Sequence, residues 1–95
     1  MHIVGRKKIE DFKHKHADAH ISIDVLLGFM DYADWSCPND IKRRYPKASI
    51  LGNNQVIFNL RGSRYRLWVK VNYKNKIVMI KNVGNHDEYM KWKII

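Results

Sequence analysis

The sequence predicts a small α+β domain in which two N-terminal helices pack on one face of a twisted antiparallel sheet. Apolar residues recur at intervals of three and four in the first half of the chain, which is typical of helices with one buried face. From residue 56 the apolar residues alternate with polar ones, which is typical of strands in a sheet with one solvated face. The 95 residues suffice for one core, so we expect residues 1–95 to form a single domain.

We expect the N-terminal half to form a short strand and two helices. Residues 2–4 are predicted to be the strand, and residues 6–16 a helix that turns Ile9 and Phe12 inward. Asp18 is expected to cap the second helix, because its carboxylate can accept the free N–H groups of the first helical turn. The second helix is recognised by an apolar stripe, which consists of Ile23, Leu26, Leu27 and Met30.

A short turn of helix is predicted over residues 39–44. Ser36 is expected to cap it, and Pro38 is tolerated near its start because the N–H groups of a first turn have no helical partner. Pro46 ends it, since a proline disfavours the helical conformation of the preceding residue. Cys37 is the single cysteine of the chain, so we expect no intrachain disulfide, a small, partly buried side chain and a reducing cytosol.

The C-terminal half is predicted to be a meander, three antiparallel strands joined by tight turns. Residues 56–61 and 65–73 form its first hairpin around a turn at residues 61–64, and a second turn at residues 74–76 leads into the third strand, residues 77–83. One face of these strands is apolar and is expected to lie against the helices. A short helical tail follows the third strand.

The other face of the meander is predicted to be polar and positively charged. Arg66, Trp68 and Lys70 alternate with the apolar residues of the middle strand, and Asn59 and Arg61 occupy the same face of the first strand. Cations beside a flat aromatic ring suit single-stranded RNA, because the cations pair with phosphates and the ring stacks on a base. Lysines are common on any solvated sheet face, but a tryptophan among the cations favours RNA binding.

The charge of the chain is unevenly distributed. The net charge is +9; residues 56–95 hold nine basic and two acidic residues, whereas residues 1–55 hold nine basic and seven acidic ones. A basic half-domain attracts phosphates or an acidic protein partner. No apolar run approaches the roughly 18 residues of a membrane helix, and the N-terminus is unlike a signal peptide. We therefore expect a cytoplasmic protein that does not contact a membrane.

His86 and Tyr89 stand three residues apart in the predicted helical tail, so they share one face. Cleavage of RNA without a metal needs a base for the ribose 2′-OH, an acid for the departing 5′-oxygen and a cation for the charge on the phosphate oxygens. Histidine and tyrosine can transfer the protons, and Arg66 can supply the cation. His-x-x-Tyr also occurs by chance, in which case the tail packs on the sheet and His86 faces water.

The remaining histidines do not predict a metal site. His16 and His20 have the spacing of four that can hold a metal on one helix, but the predicted helix break at residues 17–18 separates them. We expect these two residues and His14 to be solvated. No metal and no other cofactor is predicted.

Three segments carry distinctive motifs. An F-N-x-x-G-x-x-Y-R motif spans residues 58–66, a G-x-H-x-E-Y motif spans residues 84–89, and the segment DWSCPNDIKRRYP follows a D-W-x-x-P-x-D-I-K-x-x-[FY]-P pattern. On these motifs the sequence resembles the HigB family of bacterial toxins, within the RelE/ParE-like superfamily, over nearly the whole chain.

The resemblance implies a RelE-like fold with the active site on the sheet face opposite the helices. It also implies an mRNA interferase, an endoribonuclease that cuts messages on translating ribosomes, together with a HigA-type helix-turn-helix antitoxin encoded beside it. Arg66 matches the superfamily's arginine on the central strand, His86 the residue just after the last strand, and Tyr89 the C-terminal tyrosine. No metal or small-molecule cofactor is implied.

The first strand of the meander departs from the superfamily. Better-known RelE-type members carry lysines there, whereas this chain has Ile57 and Asn59, and an asparagine can neither act as a general base nor carry charge. The group that accepts the 2′-OH proton therefore stays open, as does the choice of acid and base between His86 and Tyr89. The residues expected to contact RNA are Asn59, Arg61, Arg64, Trp68, Lys70 and Lys81.

Two other functions are compatible with the pattern. A ParE-like toxin shares the scaffold but binds DNA gyrase, and it does not need Arg66, His86 and Tyr89 together. A non-catalytic RNA-binding module explains the charge and Trp68, and it predicts that replacing His86 has little effect. The co-occurrence of the arginine, histidine and tyrosine favours the nuclease.

Overall fold

A computed structural model of the chain describes residues 1–94, which form an α+β fold built on one five-stranded mixed sheet. Its strands are β1 (His2–Val4), β2 (Ser49–Leu51), β3 (Gln55–Leu60), β4 (Tyr65–Asn72) and β5 (Ile77–Asn85). Across the sheet they lie in the order β1-β5-β4-β3-β2. Its helices are α1 (Arg6–Lys15), α2 (His20–Tyr32), α3 (Pro38–Arg44) and α4 (His86–Met90), with a 3-10 turn at Ala17–Ala19.

The sheet differs from the predicted antiparallel one at both edges. β1 pairs in parallel with β5, with His2 in register with Ile77, which makes the sheet mixed. β2, which was not predicted, pairs antiparallel with residues 55–57 of β3. β2 has three residues and none of them is buried, so it lacks the alternation that indicates a strand in a sequence. The three central strands form the predicted meander.

The hydrophobic core lies between the helices and one face of the sheet. β4 supplies Leu67, Val69 and Val71 to it, as the alternation predicted. The helix residues that were predicted to face inward are all buried in this core, namely Ile9, Phe12, Ile23, Leu26, Leu27 and Met30. Within residues 1–94, every helix is too short or too polar to cross a membrane.

Asp18 does not cap α2, so that prediction is wrong. α2 begins at His20, and no side chain accepts a hydrogen bond at its start. The Asp18 carboxylate instead accepts a hydrogen bond from the Tyr65 hydroxyl at 2.7 Å, and one each from Arg61 and Arg64 at 2.9 and 3.0 Å. The Tyr65 hydrogen bond, together with the two arginines, holds the pKa of Asp18 below its ordinary value. These contacts tie the β3–β4 turn to the helical side of the sheet.

Ser36 does not cap α3 either. Cys37 occupies the N-cap position without a capping side-chain hydrogen bond, and the Asp40 carboxylate accepts a hydrogen bond from the Ser36 backbone N–H at 2.9 Å. Cys37 is exposed rather than partly buried. The core-facing positions of this segment are taken by Trp35 and Ile41.

Candidate active site

The sheet face that points away from α1 and α2 is called the outer face below. Strand register places Asn59, Arg66 and Gly84 in one row across β3, β4 and β5. The next row consists of Ile57, Trp68 and Asn82. Ile57 is buried although its side chain lies outside the main core. The outer face is therefore covered at this point, where Trp68 is the register neighbour of Ile57 and its ring centre lies 5.9 Å from that of Trp92.

Gly84 allows α4 to pack closely on β5. A Cβ atom at this position would lie 3.0 Å from Glu88 Cβ and 3.1 Å from Trp92 Cζ2, both closer than carbon atoms ordinarily approach. A capping box fixes the start of α4: Asn85 Oδ1 accepts from the Glu88 backbone N–H at 2.9 Å, and Glu88 Oε1 accepts from the Asn85 backbone N–H at 3.1 Å. The helix that carries His86 and Tyr89 is thus held directly against the strand before it.

The structure brings Arg66, Tyr89 and His86 together at this position. The Arg66 guanidinium carbon lies 5.3 Å from the centre of the Tyr89 ring, and the ring centres of Tyr89 and His86 are 6.4 Å apart. Arg66 Nη1 also donates a hydrogen bond to the Ser63 carbonyl oxygen, which further restrains the guanidinium. The His86 side chain is 59% exposed, so a ligand can reach it from solvent. A cation, a phenol and an imidazole therefore lie next to one another on the outer face.

Trp68 and Trp92 lie beside these three groups. Their ring centres are 5.9 Å apart, and Trp92 meets the Tyr89 ring edge-on at 5.7 Å. The Trp68 indole N–H donates to Gln55 Oε1 at 2.9 Å, and Lys81 Nζ lies 5.9 Å from the centre of a Trp68 ring. Trp68 is therefore half-buried and held in place by its neighbours, and it is not the exposed stacking ring that the alternation predicted.

Gly84, Gln55 and Trp92 contribute to the site but were not predicted as parts of it. Trp92 stands three residues after Tyr89, and Gln55 stands two residues before Ile57 on the same strand. Strand spacing could therefore have placed Gln55 on the correct face, whereas Trp92 lies after the end of α4, where helical spacing no longer applies. No local pattern indicates that both would contact Trp68.

Three other residues that were predicted to contact RNA lie on or beside the outer face. Asn59 is next to Arg66 in register, and its side-chain amide donates to the Lys47 carbonyl oxygen at 3.3 Å. Lys70 is exposed further along β4. Lys81 is the extra residue of a β-bulge in β5, where the pairing shifts by one position, and its ammonium group approaches Trp68.

Arg61 and Arg64 lie apart from the site, and both form ion pairs with Asp18 on the helical side of the sheet. The prediction that Arg61 shares the face of Arg66 is therefore wrong. Arg61 has a φ angle of +48°, so the strand alternation ends before it and no longer determines the direction of its side chain.

The histidines of the N-terminal half have separate contacts. The predicted break between His16 and His20 is present, since α1 ends at Lys15. His16 is half-buried rather than solvated, with its ring centre 4.5 Å from that of Phe12, while His20 Nε2 lies 2.5 Å from an Asp24 carboxylate oxygen. The described residues include no group of three or more His, Cys, Asp or Glu side chains that could hold a metal ion.

Comparison with known proteins places the sequence of the chain in one family. Residues 19–92 match the HigB toxin family, described as the RelE-like toxic component of a toxin–antitoxin system. A protein of Escherichia coli O6:H1 (strain CFT073) that is named mRNA interferase HigB is 24% identical over 93 residues, which cover 96% of this chain and 90% of that protein. The matched family segment contains Arg66, His86 and Tyr89.

Proposed function

The chain belongs to the HigB family of RelE-like toxins, and from this premise we propose that it is an mRNA endoribonuclease that acts on translating ribosomes in the cytoplasm. The name of the E. coli relative, mRNA interferase HigB, supports this substrate class. A toxin of such a system is paired with an antitoxin, which we propose to be of the HigA helix-turn-helix type. The observation that carries the ribonuclease proposal is the proximity of Arg66, Tyr89 and His86 on the outer face.

Arg66 binds the scissile phosphate in this proposal. Its guanidinium is planar and always charged, so it can donate parallel hydrogen bonds to two phosphate oxygens and offset the charge that builds on them in the transition state. The Ser63 carbonyl oxygen and the Tyr89 ring hold the guanidinium before substrate binds. Little reorganisation is then needed at the moment of reaction, which is the condition for strong electrostatic stabilisation.

His86 and Tyr89 transfer the protons. One of them accepts the proton of the ribose 2′-OH as its oxygen attacks phosphorus, and the other donates a proton to the departing 5′-oxygen. The P–O2′ bond forms as the P–O5′ bond breaks, so the products are a 2′,3′-cyclic phosphate and a 5′-hydroxyl. A separation of 6.4 Å between the two rings leaves room for one phosphate to contact both side chains.

The exposure of the site supports dependence on the ribosome. His86 lies on an open surface rather than in a closed cleft, and water on such a surface weakens electrostatic stabilisation of the transition state. Docking of the outer face against ribosome-bound mRNA would exclude this water. The positive charge of residues 56–95 would steer the protein to RNA-rich surfaces, with Lys70 and Lys81 available for phosphate contacts.

The proposal is tested by primer extension on an mRNA in a bacterial translation reaction, with and without ribosomes. The wild type is compared with His86→Ala, and with His14→Ala as a control at an exposed histidine of α1. We expect new 5′ ends with the wild type and the control when ribosomes are present. Loss of a proton-transfer group should slow cleavage about 10²- to 10⁴-fold in His86→Ala.

Each other outcome of this experiment points to a specific alternative. Equal cleavage by His86→Ala would keep the nuclease but remove His86 from the mechanism. Cleavage without ribosomes would contradict ribosome dependence. No cleavage by the wild type would contradict the ribonuclease proposal, and inhibition of DNA gyrase would then be measured.

A further inference from the structure

An apolar groove of about 590 Å³ runs between α2 and the edge of β3, and its lining does not include Arg66, His86 or Tyr89. Three residues of α2 line one wall at intervals of four and are conspicuously exposed: Ile21 at 78%, Val25 at 53% and Phe29 at 44%. They form a second apolar stripe beside the one that α2 buries in the core. Single exposed apolar residues are ordinary, but a contiguous apolar stripe in a groove indicates an interaction surface.

The opposite wall of the groove is an unpaired part of the sheet edge. β2 pairs with residues 55–57 of β3, and within residues 1–94 no strand continues that pairing along residues 58–60. Phe58, Asn59 and Leu60 line the groove at this point. Proteins usually cover or charge such an edge because an open edge invites pairing with another chain. Here the edge is left open beside an apolar helix.

The rim of the groove is positively charged. Arg44 and Lys47 line it, together with Arg61, whose charge is offset by its ion pair with Asp18. The Arg44 guanidinium carbon lies 4.2 Å above the centre of the Phe29 ring. None of the described lining residues is acidic. An isologous contact between two copies of the chain would place these same cations opposite one another, which is repulsive. The groove therefore fits a partner with acidic side chains.

We propose that this groove is the docking site of the antitoxin, which fills it with an amphipathic segment that has an apolar face and flanking acidic side chains. The inference rests on the toxin–antitoxin part of the proposed function and does not depend on the ribonuclease chemistry. Asn59 lines the groove and is also the register neighbour of Arg66. A segment bound in the groove consequently lies next to the row that contains Arg66, which places the antitoxin at the border of the candidate active site.

The test is isothermal titration calorimetry, in which the purified full-length toxin is titrated with the antitoxin encoded beside it. Val25→Asp and Ile21→Asp each place a negative charge inside the groove. The matched control is Tyr32→Asp on the same helix, because Tyr32 is 94% exposed and does not line the groove. We expect the two groove variants to weaken binding at least about tenfold, and the control by less than about twofold.

A charge test and two controls complete the design. Lys47→Glu should weaken binding and reduce its dependence on salt, because it removes an attractive pair with an acidic segment. Circular dichroism shows whether each variant is folded, and mRNA cleavage without antitoxin shows whether the active site is intact. Cleavage should be unchanged in Val25→Asp and Ile21→Asp.

Unchanged antitoxin binding by both groove variants would overturn the proposal. Equal weakening by Tyr32→Asp would also overturn it, because the antitoxin would then recognise the general apolar surface of α2. A toxin dimer that Val25→Asp dissociates would overturn it too, because the groove would then bind a second copy of the chain. The protein could also cleave no RNA and still bind the antitoxin through the groove. This result would refute the ribonuclease proposal and support the docking proposal.

Discussion

Gly84 offers the sharpest test of how the candidate active site is assembled, because its lack of a side chain lets α4 lie against β5. The substitution Gly84→Ala would place a methyl group 3.0 Å from Glu88 Cβ and 3.1 Å from Trp92 Cζ2. Cβ atoms ordinarily contact other carbon atoms at 3.4–4 Å, so both neighbours would have to give way by a few tenths of an ångström. Overpacking of this kind costs about 1–3 kcal/mol when the surroundings cannot move.

α4 is the part that can move. It has five residues, and none of them is buried, whereas Gly84 is held in register with Arg66 of the central strand β4. We therefore expect the clash to displace α4 by a few tenths of an ångström rather than to unfold the sheet. A misplacement of about 1 Å can cost about 10²-fold in rate, so the expected loss is smaller than that. Cleavage in the translation reaction should fall by roughly tenfold, while the Tm should fall by less than about 4 °C because most of the strain is relieved locally.

The matched control is Gly28→Ala. A Cβ atom at Gly28 would meet no atom within 4 Å, and the residue lies inside α2, where alanine is favoured over glycine by about 1 kcal/mol. This variant should cleave mRNA like the wild type and melt at a slightly higher temperature. Wild-type cleavage by Gly84→Ala, together with an unaltered near-ultraviolet circular dichroism spectrum of the Trp68–Trp92 pair, would refute the reasoning that close packing of α4 positions the active site.

Two further predictions concern charged groups. Arg66→Lys keeps the positive charge but removes the planar pair of donors, so we expect cleavage to fall about 10²-fold with an unchanged Tm. Cleavage rates and a thermal melt of the same sample check this. Cleavage at the wild-type rate would contradict the role given to Arg66. The pKa of Asp18 is lowered, chiefly by the Tyr65 hydrogen bond. Its carboxylate therefore stabilises the folded state fully at pH values above the ordinary carboxyl pKa. This stabilisation is lost as the pH falls through the lower pKa of the folded state. Asp18→Asn should consequently be less stable than the wild type at pH 7, and urea titrations should show the difference narrowing in acid; a difference that is independent of pH would contradict this explanation.

The elements that could be predicted from the sequence are those with strong local patterns. α1, α2 and the meander have enough apolar positions to show their periods, and strand alternation correctly placed Arg66 on the face opposite the helices. The short helical tail that carries His86 and Tyr89 was predicted and is present as α4. The catalytic roles of these residues stay a prediction until the kinetics are measured.

The features that were missed depend on contacts between residues far apart in the sequence. Asp18 has the chemistry of a helix cap, but three donors from the β3–β4 region compete for its carboxylate, and the fold alone brings them within reach. β2 is too short and too exposed to show alternation. The second stripe of α2, in contrast, has a regular spacing of four that is visible in the sequence, but spacing does not tell whether an apolar side chain is covered.

The pairing of the first strand with the last has a consequence for the timing of folding during synthesis. Because His2 is in register with Ile77, the sheet closes after β5 has been made, and α4 emerges later still. A chain is made from its N-terminus, so Arg66 precedes both of its proposed partners by some twenty residues of translation. The candidate site is therefore incomplete until α4 has been made. If the substrate is mRNA on the ribosome, a nascent copy of the toxin lacks its assembled site until residues 86–89 have left the ribosome.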